Sequence, residues 1–178
     1  WTLALAAGLR ERLRDSLPIA CTVATGMTYG KPSIDSALQQ LMDSGVDRLV
    51  VLPLYPQYSA TTTASVLDRV QASLARWPSP PELRFIDDYH ADARYVAAVA
   101  ASIAARRSPA APFEHLLFSF HGIPKRYADA GDPYGDRCRE TARLVVERLA
   151  LAPEEWSLAF QSRVGGARWL EPYTEEQL

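Results

Sequence analysis

Short apolar runs rich in Val, Ile, Leu and Phe alternate along this chain with longer stretches whose apolar residues recur at helical spacing. The helical spacing predicts helices over residues 2–16, 33–44, 62–76, 91–107 and 136–150. The short runs predict strands over residues 19–25, 48–54, 83–87, 115–120 and 156–161. Strands and helices that alternate in this way are typical of α/β layers, in which crossover helices join parallel strands.

Two of the predicted strands, RLVVLPL and LLFSF, show little polar alternation, which favours strands covered on both faces of a parallel sheet. Between them, the segment WPSPPE at 77–82 carries three prolines that neither a helix nor a central strand accommodates. We therefore expect a domain boundary near residue 82. The segment SPAAP at 108–112 is expected to be a loop between helix and strand.

Composition mainly excludes classes of protein. A net charge of −2 without a basic stripe argues against nucleic acid as a partner. No apolar run approaches the roughly 20 residues of a membrane-spanning helix. Cys21 and Cys138 lie far apart without a paired spacing, which indicates neither a disulfide framework nor a zinc module and favours a reducing compartment.

Both ends of the sequence suggest a piece of a longer protein. The chain opens at Trp1 without an initiating Met, and Thr174 to Gln177 has the pattern of a helix N-terminus just before the last residue. We therefore expect an internal fragment.

Unusual polar and aromatic residues follow three of the predicted strands, in the segments YPQYSATTT, HGIPKRY and QSRVGGARW. Ligands of open parallel sheets bind at the carboxyl ends of the strands. Aromatic rings beside hydroxyls, amides and a histidine suit a flat, largely apolar ligand with a polar edge better than a phosphate.

His121 is the main chemical candidate, because it ends a predicted strand and precedes Gly122 and Pro124. From there its imidazole could accept a proton near neutral pH or bind a borderline metal such as iron. A hydrogen-bonded histidine at a strand end is the structural alternative. That structural interpretation is favoured for His90 and His115, and loop packing is an equal alternative for Tyr55, Tyr58 and Ser59. A group of charged residues further along the chain is expected to form a solvated helix start. These residues are Asp132, Asp136, Arg137, Arg139 and Glu140.

Four ordered segments resemble motifs of the ferrochelatase family. FSFHGIPKRYADAGDPYGDRCRETARLVVERL resembles the family signature, and LPLYPQYSATTTAS is similar to its Tyr-Pro-Gln-Tyr-Ser loop. FQSRVGGARWLEPYT and GMTYGKPSI resemble its Gln-Ser-Arg and Met-x-Tyr-Gly-x-Pro motifs. The resemblance implies a chelatase-like α/β fold of two Rossmann-like domains with parallel sheets, only partly covered by this chain, with a porphyrin cleft between them. Residues 1–82 would be the C-terminal part of the first domain, and residues 83–178 the N-terminal part of the second.

The resemblance also implies roles for single residues. His121 matches the family's metal-site histidine, which ligates the entering iron or takes protons from the pyrrole nitrogens. Residues that match positions near the porphyrin are Met27, Tyr29, Tyr55, Ser59, Ser162, Arg163 and Trp169. Thr28 stands where many members carry Arg, so a propionate contact is not implied there. Ala60 stands where some members have a cluster-binding Cys, so an iron–sulfur cluster is not implied either.

The implied reaction is insertion of ferrous iron into protoporphyrin IX to form haem, with iron and porphyrin as substrates and no permanently bound cofactor. The acidic partner of His121 would lie beyond Leu178, so the isolated chain is expected to be inactive. Alternatives are another tetrapyrrole chelatase, using cobalt, nickel or coproporphyrin, and a porphyrin or haem carrier without turnover. A bacterial cytoplasmic location is expected, with peripheral association with the inner membrane and the oligomeric state both left open.

Overall fold

A computed structural model describes residues 2–107 and 114–178. Its helices are α1 (Thr2–Ser16), α2 (Ile34–Asp43), α3 (Thr63–Leu74), α4 (Ala93–Ala104), α5 (Lys125–Asp129) and α6 (Tyr134–Leu149). Its strands are β1 (Arg48–Val51), β2 (Glu82–Phe85), β3 (Leu116–His121) and β4 (Trp156–Gln161). Strand β1 pairs with β2, and β3 with β4, in both cases parallel, which confirms the predicted α/β class. None of the helices in these ranges combines the length and apolar character that crossing a bilayer requires.

The chain divides into two compact units. The first contains the residues up to Leu52 together with Ser65–Ile86, and the second contains Pro53–Ala64 and Asp87–Leu178. The loop between β1 and α3 thus belongs to the second unit. Strand β1 lies in the first unit, and α3 begins in the second unit and continues in the first from Ser65. The domain boundary near residue 82 stays a prediction, because a compact unit is not necessarily a domain of the whole protein.

The first unit buries an apolar cluster between its helices and its strand pair. Helix α2 is capped by Ser33, whose side chain accepts a hydrogen bond from the Ser36 N–H at 3.1 Å and so satisfies a free donor of the first turn. Its apolar stripe packs with α3 against β1, through Ile34, Leu38, Leu49, Val66, Val70 and Leu74. Helices α2 and α3 are joined at the surface as well, since Asp35 of α2 binds the guanidinium group of Arg69 on α3. Asp35 also binds Arg76, which lies just beyond α3.

The prediction that two strands are buried on both faces is wrong for the described strands. In β1, Leu49 is buried whereas Val50 is 60% exposed, so the strand has one covered face. In β3, Ser119 and His121 are exposed and the other side chains are half-buried. Each strand has a single partner among the described residues, and a strand pair packed on one side leaves alternate side chains in solvent.

The predicted strand at 19–25 is also wrong, because these residues form no strand. A strand needs a neighbour for its backbone N–H and C=O groups, and the described residues supply no ladder to this segment. Instead, the carbonyl of Val23 accepts a hydrogen bond from the Arg10 guanidinium at 2.9 Å. The segment is a connection between α1 and the turn at Met27 without regular secondary structure.

The second unit packs α4 and α6 against the β3–β4 pair. One cluster joins Val96 and Ala100 of α4 to Val145 of α6. A second cluster lies beneath the end of β3 and contains Ile123, Cys138, Phe160 and Leu170. Phe160 is 2% exposed and Cys138 is fully buried, so the end of β3 rests on a closely packed base. The predicted loop at 108–112 lies outside the described residues.

Candidate functional site

His121 is the last residue of β3, opposite Gln161 of β4, and its side chain is exposed. Its backbone is held from a second direction, because the Tyr134 hydroxyl donates a hydrogen bond to the His121 carbonyl at 2.8 Å. The imidazole therefore projects into solvent from a strand end that is fixed on two sides. Its proposed role as metal ligand and proton acceptor stays a prediction.

The turn after His121 packs closely on the segment that follows β4. The Gly122 N–H donates to the Gln161 carbonyl at 2.8 Å, and the Leu170 N–H donates to the Ile123 carbonyl at 3.0 Å. A Cβ atom on Gly122 would lie 3.1 Å from the Gln161 carbonyl oxygen and 3.4 Å from Cε3 of Trp169. This approach favours glycine, because a side chain here would require the neighbouring atoms to shift. The structure thus packs Trp169 against Gly122, the residue that follows His121.

Trp169 is half-buried, and its indole N–H donates to the Val164 carbonyl at 3.1 Å. That bond fixes the plane of the ring against the loop. A partly exposed, oriented indole is suited to stacking on a flat ligand. Binding of substrate by Trp169 stays a prediction.

Ser162 and Arg163 lie directly beyond β4 and are exposed. Ser162 has a left-handed backbone (φ 69°), which turns the chain sharply after the strand. The guanidinium of Arg163 pairs with Glu175 and lies 4.4 Å from the centroid of the Tyr173 ring. A pocket of about 210 Å³ opens between these residues, smaller than the roughly 300–1,000 Å³ of most small-molecule sites. A pocket of this size does not indicate which ligand it would hold. Substrate binding by Ser162 and Arg163 therefore stays a prediction.

The loop Pro53–Ala64 carries the predicted site residues Tyr55 and Ser59. Tyr55 is 39% exposed, whereas Ser59 is fully buried. The Ser59 hydroxyl donates to the carboxylate of Asp132 at 2.9 Å, and Gln57 donates to Thr141 at 2.9 Å. In this structure the hydroxyl of Ser59 has protein partners, while the Tyr55 ring is open to solvent. Substrate binding by either residue stays a prediction.

Met27 and Tyr29 belong to the first unit, whereas the other candidate residues belong to the second. The Met27 N–H donates to the Pro32 carbonyl at 2.8 Å and closes a turn in which Gly30 has a φ of +93°. Met27 is half-buried, and Tyr29 is 90% exposed at the tip of the turn. Their predicted contacts with a macrocycle remain predictions.

A network centred on Asp88 fastens the loop Pro53–Ala64 to α6, and sequence reasoning missed it. Asp88 accepts hydrogen bonds from the Tyr58 N–H at 3.1 Å, from the ring of His90 and from the guanidinium of Arg137. The other ring nitrogen of His90 lies 2.9 Å from the carboxylate of Glu140. Burial acts to raise the pKa of Asp88, but the hydrogen bonds from His90 and Tyr58 outweigh it and hold that pKa below its usual value.

Two charged residues expected at a solvated helix start are thus structural partners. Arg137 and Glu140 are three residues apart, which places them on one face of α6. That spacing is visible in the sequence and predicts that the two side chains can contact the same neighbouring segment. The pairing of Arg137 and Glu140 with Asp88 and His90 could not be predicted from the sequence, since these partners come from a distant segment.

Cys138 belongs to the apolar cluster beneath the end of β3. The thiol is fully buried, and burial raises its pKa to about 12. A thiol with so high a pKa is a poor nucleophile and a poor metal ligand. Across residues 2–107 and 114–178 no group of three or more His, Cys, Asp or Glu side chains is arranged to hold a metal ion.

Comparison with known proteins assigns the family. A family model described as Ferrochelatase matches residues 1–178. The ferrochelatase of Thioalkalivibrio sulfidiphilus is 49% identical over 170 residues, which are 96% of this chain and 46% of that protein. The ferrochelatase of Nitrosococcus oceani is 49% identical over 164 residues, 92% of this chain and 45% of that protein.

A third relative, the ferrochelatase of Vibrio atlanticus, is 46% identical over 168 residues, 94% of this chain and 52% of that protein. The chain thus spans about half the length of the curated relatives that it matches. The parallel strand pairs and the flanking helices agree with the α/β fold that the family implies. Since the family match covers every residue of the sequence, the chain belongs to the ferrochelatase family.

Proposed function

We propose that the full-length protein inserts ferrous iron into protoporphyrin IX and so forms haem. The observation that carries the proposal is the family match over the whole chain. The exposed imidazole of His121 at the end of a fixed strand, with Trp169 packed against the adjacent Gly122, supports it chemically.

The reaction requires two protons to leave the pyrrole nitrogens while the iron sheds its water ligands. A neutral imidazole can accept a proton near neutral pH and can bind iron through the same nitrogen. A base works best when its backbone is rigid, and His121 is held by β4 and by Tyr134. We propose that His121 performs this step, together with a carboxylate supplied by another part of the full-length protein.

The proposal is tested by an anaerobic assay of the full-length protein with ferrous iron and protoporphyrin IX. Haem formation with turnover is expected. Parallel assays replace iron by cobalt or nickel, or protoporphyrin IX by coproporphyrin. A preference for another metal or for coproporphyrin would identify a different tetrapyrrole chelatase instead. Tight retention of haem without any metal insertion would identify a carrier and overturn the proposal.

Tyr55 and Trp169 are proposed to contact the porphyrin through their rings. We expect Tyr55→Ala and Trp169→Ala each to weaken porphyrin binding about tenfold, because each removes a large flat apolar surface. Binding is measured by the quenching of porphyrin fluorescence. Trp169→Phe keeps a ring in the turn and should retain most of the affinity.

Trp156→Phe is the matched control. Trp156 lies at the first residue of β4, the end remote from the turn after His121, in an edge-to-face contact with Phe118. Its porphyrin affinity should equal that of the wild type. Unchanged affinity in both alanine variants, with normal thermal stability, would place the porphyrin elsewhere.

The proposal includes no permanently bound cofactor, with iron as a substrate. By the resemblance to the family, Ala60 would occupy the position at which some members have a cluster-binding cysteine. We expect the purified full-length protein to contain no stoichiometric inorganic sulfide, measured by chemical analysis after anaerobic purification. Sulfide in a fixed ratio to protein would contradict this part of the proposal. A bacterial cytoplasmic location is likewise proposed.

A further inference from the structure

The carboxylate of Asp132 joins two segments that are distant in sequence. One of its oxygens accepts hydrogen bonds from the Ser59 hydroxyl at 2.9 Å and from the Ala60 N–H at 2.8 Å. The other oxygen accepts from the Tyr134 N–H at 3.0 Å. Hydrogen bonds to an ionised acceptor are about twice as strong as neutral ones. Asp132 therefore holds the loop of Tyr55 and Ser59 against the start of α6.

Tyr134 continues the connection to His121. Its backbone N–H is bound by Asp132, and its hydroxyl donates to the carbonyl of His121 at 2.8 Å. The ring packs on the apolar cluster of Ile123, Cys138, Phe160 and Leu170. Burial raises the pKa of Tyr134, with a further contribution from Cys138, so the phenol keeps its proton and remains a donor.

These contacts form an unbroken path from Ser59 through Asp132 and Tyr134 to the backbone of His121. We propose that Asp132 and Tyr134 are positioning residues, which hold the Tyr55–Ser59 loop and His121 in the arrangement needed for porphyrin binding and iron insertion. The inference rests on the proposed function. It assigns no contact with substrate to either residue.

The sequence favours a simpler role for Asp132 as a solvated residue before a helix, and its bond to the Tyr134 N–H fits that role. The bonds to Ser59 and Ala60 do not, because a residue that only caps its own helix needs no partner 73 residues away. Ser59 is fully buried, and its hydroxyl is satisfied by Asp132 and by Thr61 at 2.8 Å. Loss of the carboxylate would leave a buried donor with one partner fewer.

The first test is Tyr134→Phe in the full-length protein, which removes one hydroxyl and keeps the packed ring. We expect kcat to fall about threefold to tenfold, the effect of one hydrogen bond, with the porphyrin KM changed less than twofold. The NMR signal of the His121 ring should also shift or broaden, and His121→Ala identifies that signal. Tyr127→Phe is the control, since Tyr127 packs on the same cluster and its hydroxyl has no hydrogen bond to the described residues.

The second test is Asp132→Asn, which keeps the shape of the side chain and removes its charge. Since the amide offers one acceptor oxygen instead of two, it cannot hold both the loop and Tyr134. We expect a porphyrin KM raised about threefold to tenfold together with a lower kcat. Asp136→Asn makes the same charge change on a side chain that is 92% exposed and should leave both constants unchanged.

The two variants separate positioning from general loss of stability, because Tyr134→Phe should change kcat alone and Asp132→Asn both constants. Wild-type kcat and an unshifted His121 signal in Tyr134→Phe would overturn the inference while the proposed function stands. If Asp132→Asn fails to fold, Tyr134→Phe decides. If the wild type inserts no iron, the proposed function fails, and an unshifted His121 signal would overturn the inference independently.

Discussion

Replacement of His121 by alanine in the full-length protein is expected to lower kcat for iron insertion by at least about 100-fold. The variant removes the exposed base at the end of β3, and general acid–base groups typically contribute 10² to 10⁴ in rate. Porphyrin affinity should change little, because aromatic surface rather than the imidazole is proposed to hold the ring. The measurement is an anaerobic steady-state assay beside a porphyrin fluorescence titration.

His115→Ala is the matched control for this variant. His115 lies just before the same strand, at its opposite end, where its ring bonds to Ser157 at 2.9 Å and to the Glu154 carbonyl at 3.2 Å. Its removal should leave kcat within about twofold of the wild type. If His121→Ala keeps more than about a tenth of wild-type kcat, the role of His121 as proton acceptor is refuted.

Asp88→Asn is expected to lower the free energy of unfolding by about 2–3 kcal/mol at neutral pH, since hydrogen bonds to a charged group contribute about 1.5–3 kcal/mol. The variant removes the negative charge that pairs with Arg137 of α6. It also weakens the hydrogen bond that the same side chain accepts from the Tyr58 N–H. The Asp88 side chain is 18% exposed, so water can replace these contacts only in part. Urea denaturation of the full-length protein measures the effect.

The same variant predicts a pH dependence with a definite sign. The pKa of Asp88 is lowered in the folded state, so its stabilisation is fully present above the unfolded pKa of about 3.9 and is lost as the pH falls through the folded value. Wild type and Asp88→Asn should therefore differ fully above about pH 5. The difference should begin to shrink near about pH 4 and vanish only below the folded pKa of Asp88. Asp87→Asn, at an exposed neighbour, should differ little from wild type throughout. A constant difference across this range would show that ionisation of Asp88 is not the cause.

Helices with a long apolar stripe were predictable from sequence, because their stabilising pattern is local. Helix α2 was predicted over 33–44 and spans Ile34–Asp43, with its cap at Ser33. Helix α5 was not predicted, since its five residues are too few to show a period and it begins after Pro124. The segment 19–25 has the composition of a strand, but a strand also depends on a neighbour that its own residues do not encode.

The site was predictable only where chain order determines it. A histidine that ends an apolar run before Gly122 and Pro124 must lie near a strand end, and His121 does. The contacts of Asp88 and Asp132 join residues 49 and 73 positions apart, for which the sequence carries no local signal. Burial of Ser59 was hidden for the same reason, because its partner lies in another segment.

The assignment of the loop Pro53–Ala64 to the second unit has a consequence for synthesis on the ribosome. Ser59 is made 73 residues before the carboxylate that binds it. At about 5–20 residues per second, Ser59 waits on the order of 4–15 s for Asp132 to be translated. Until Asp132 has been made the loop lacks its partner, so the second unit cannot complete its packing in the order in which its residues are synthesised.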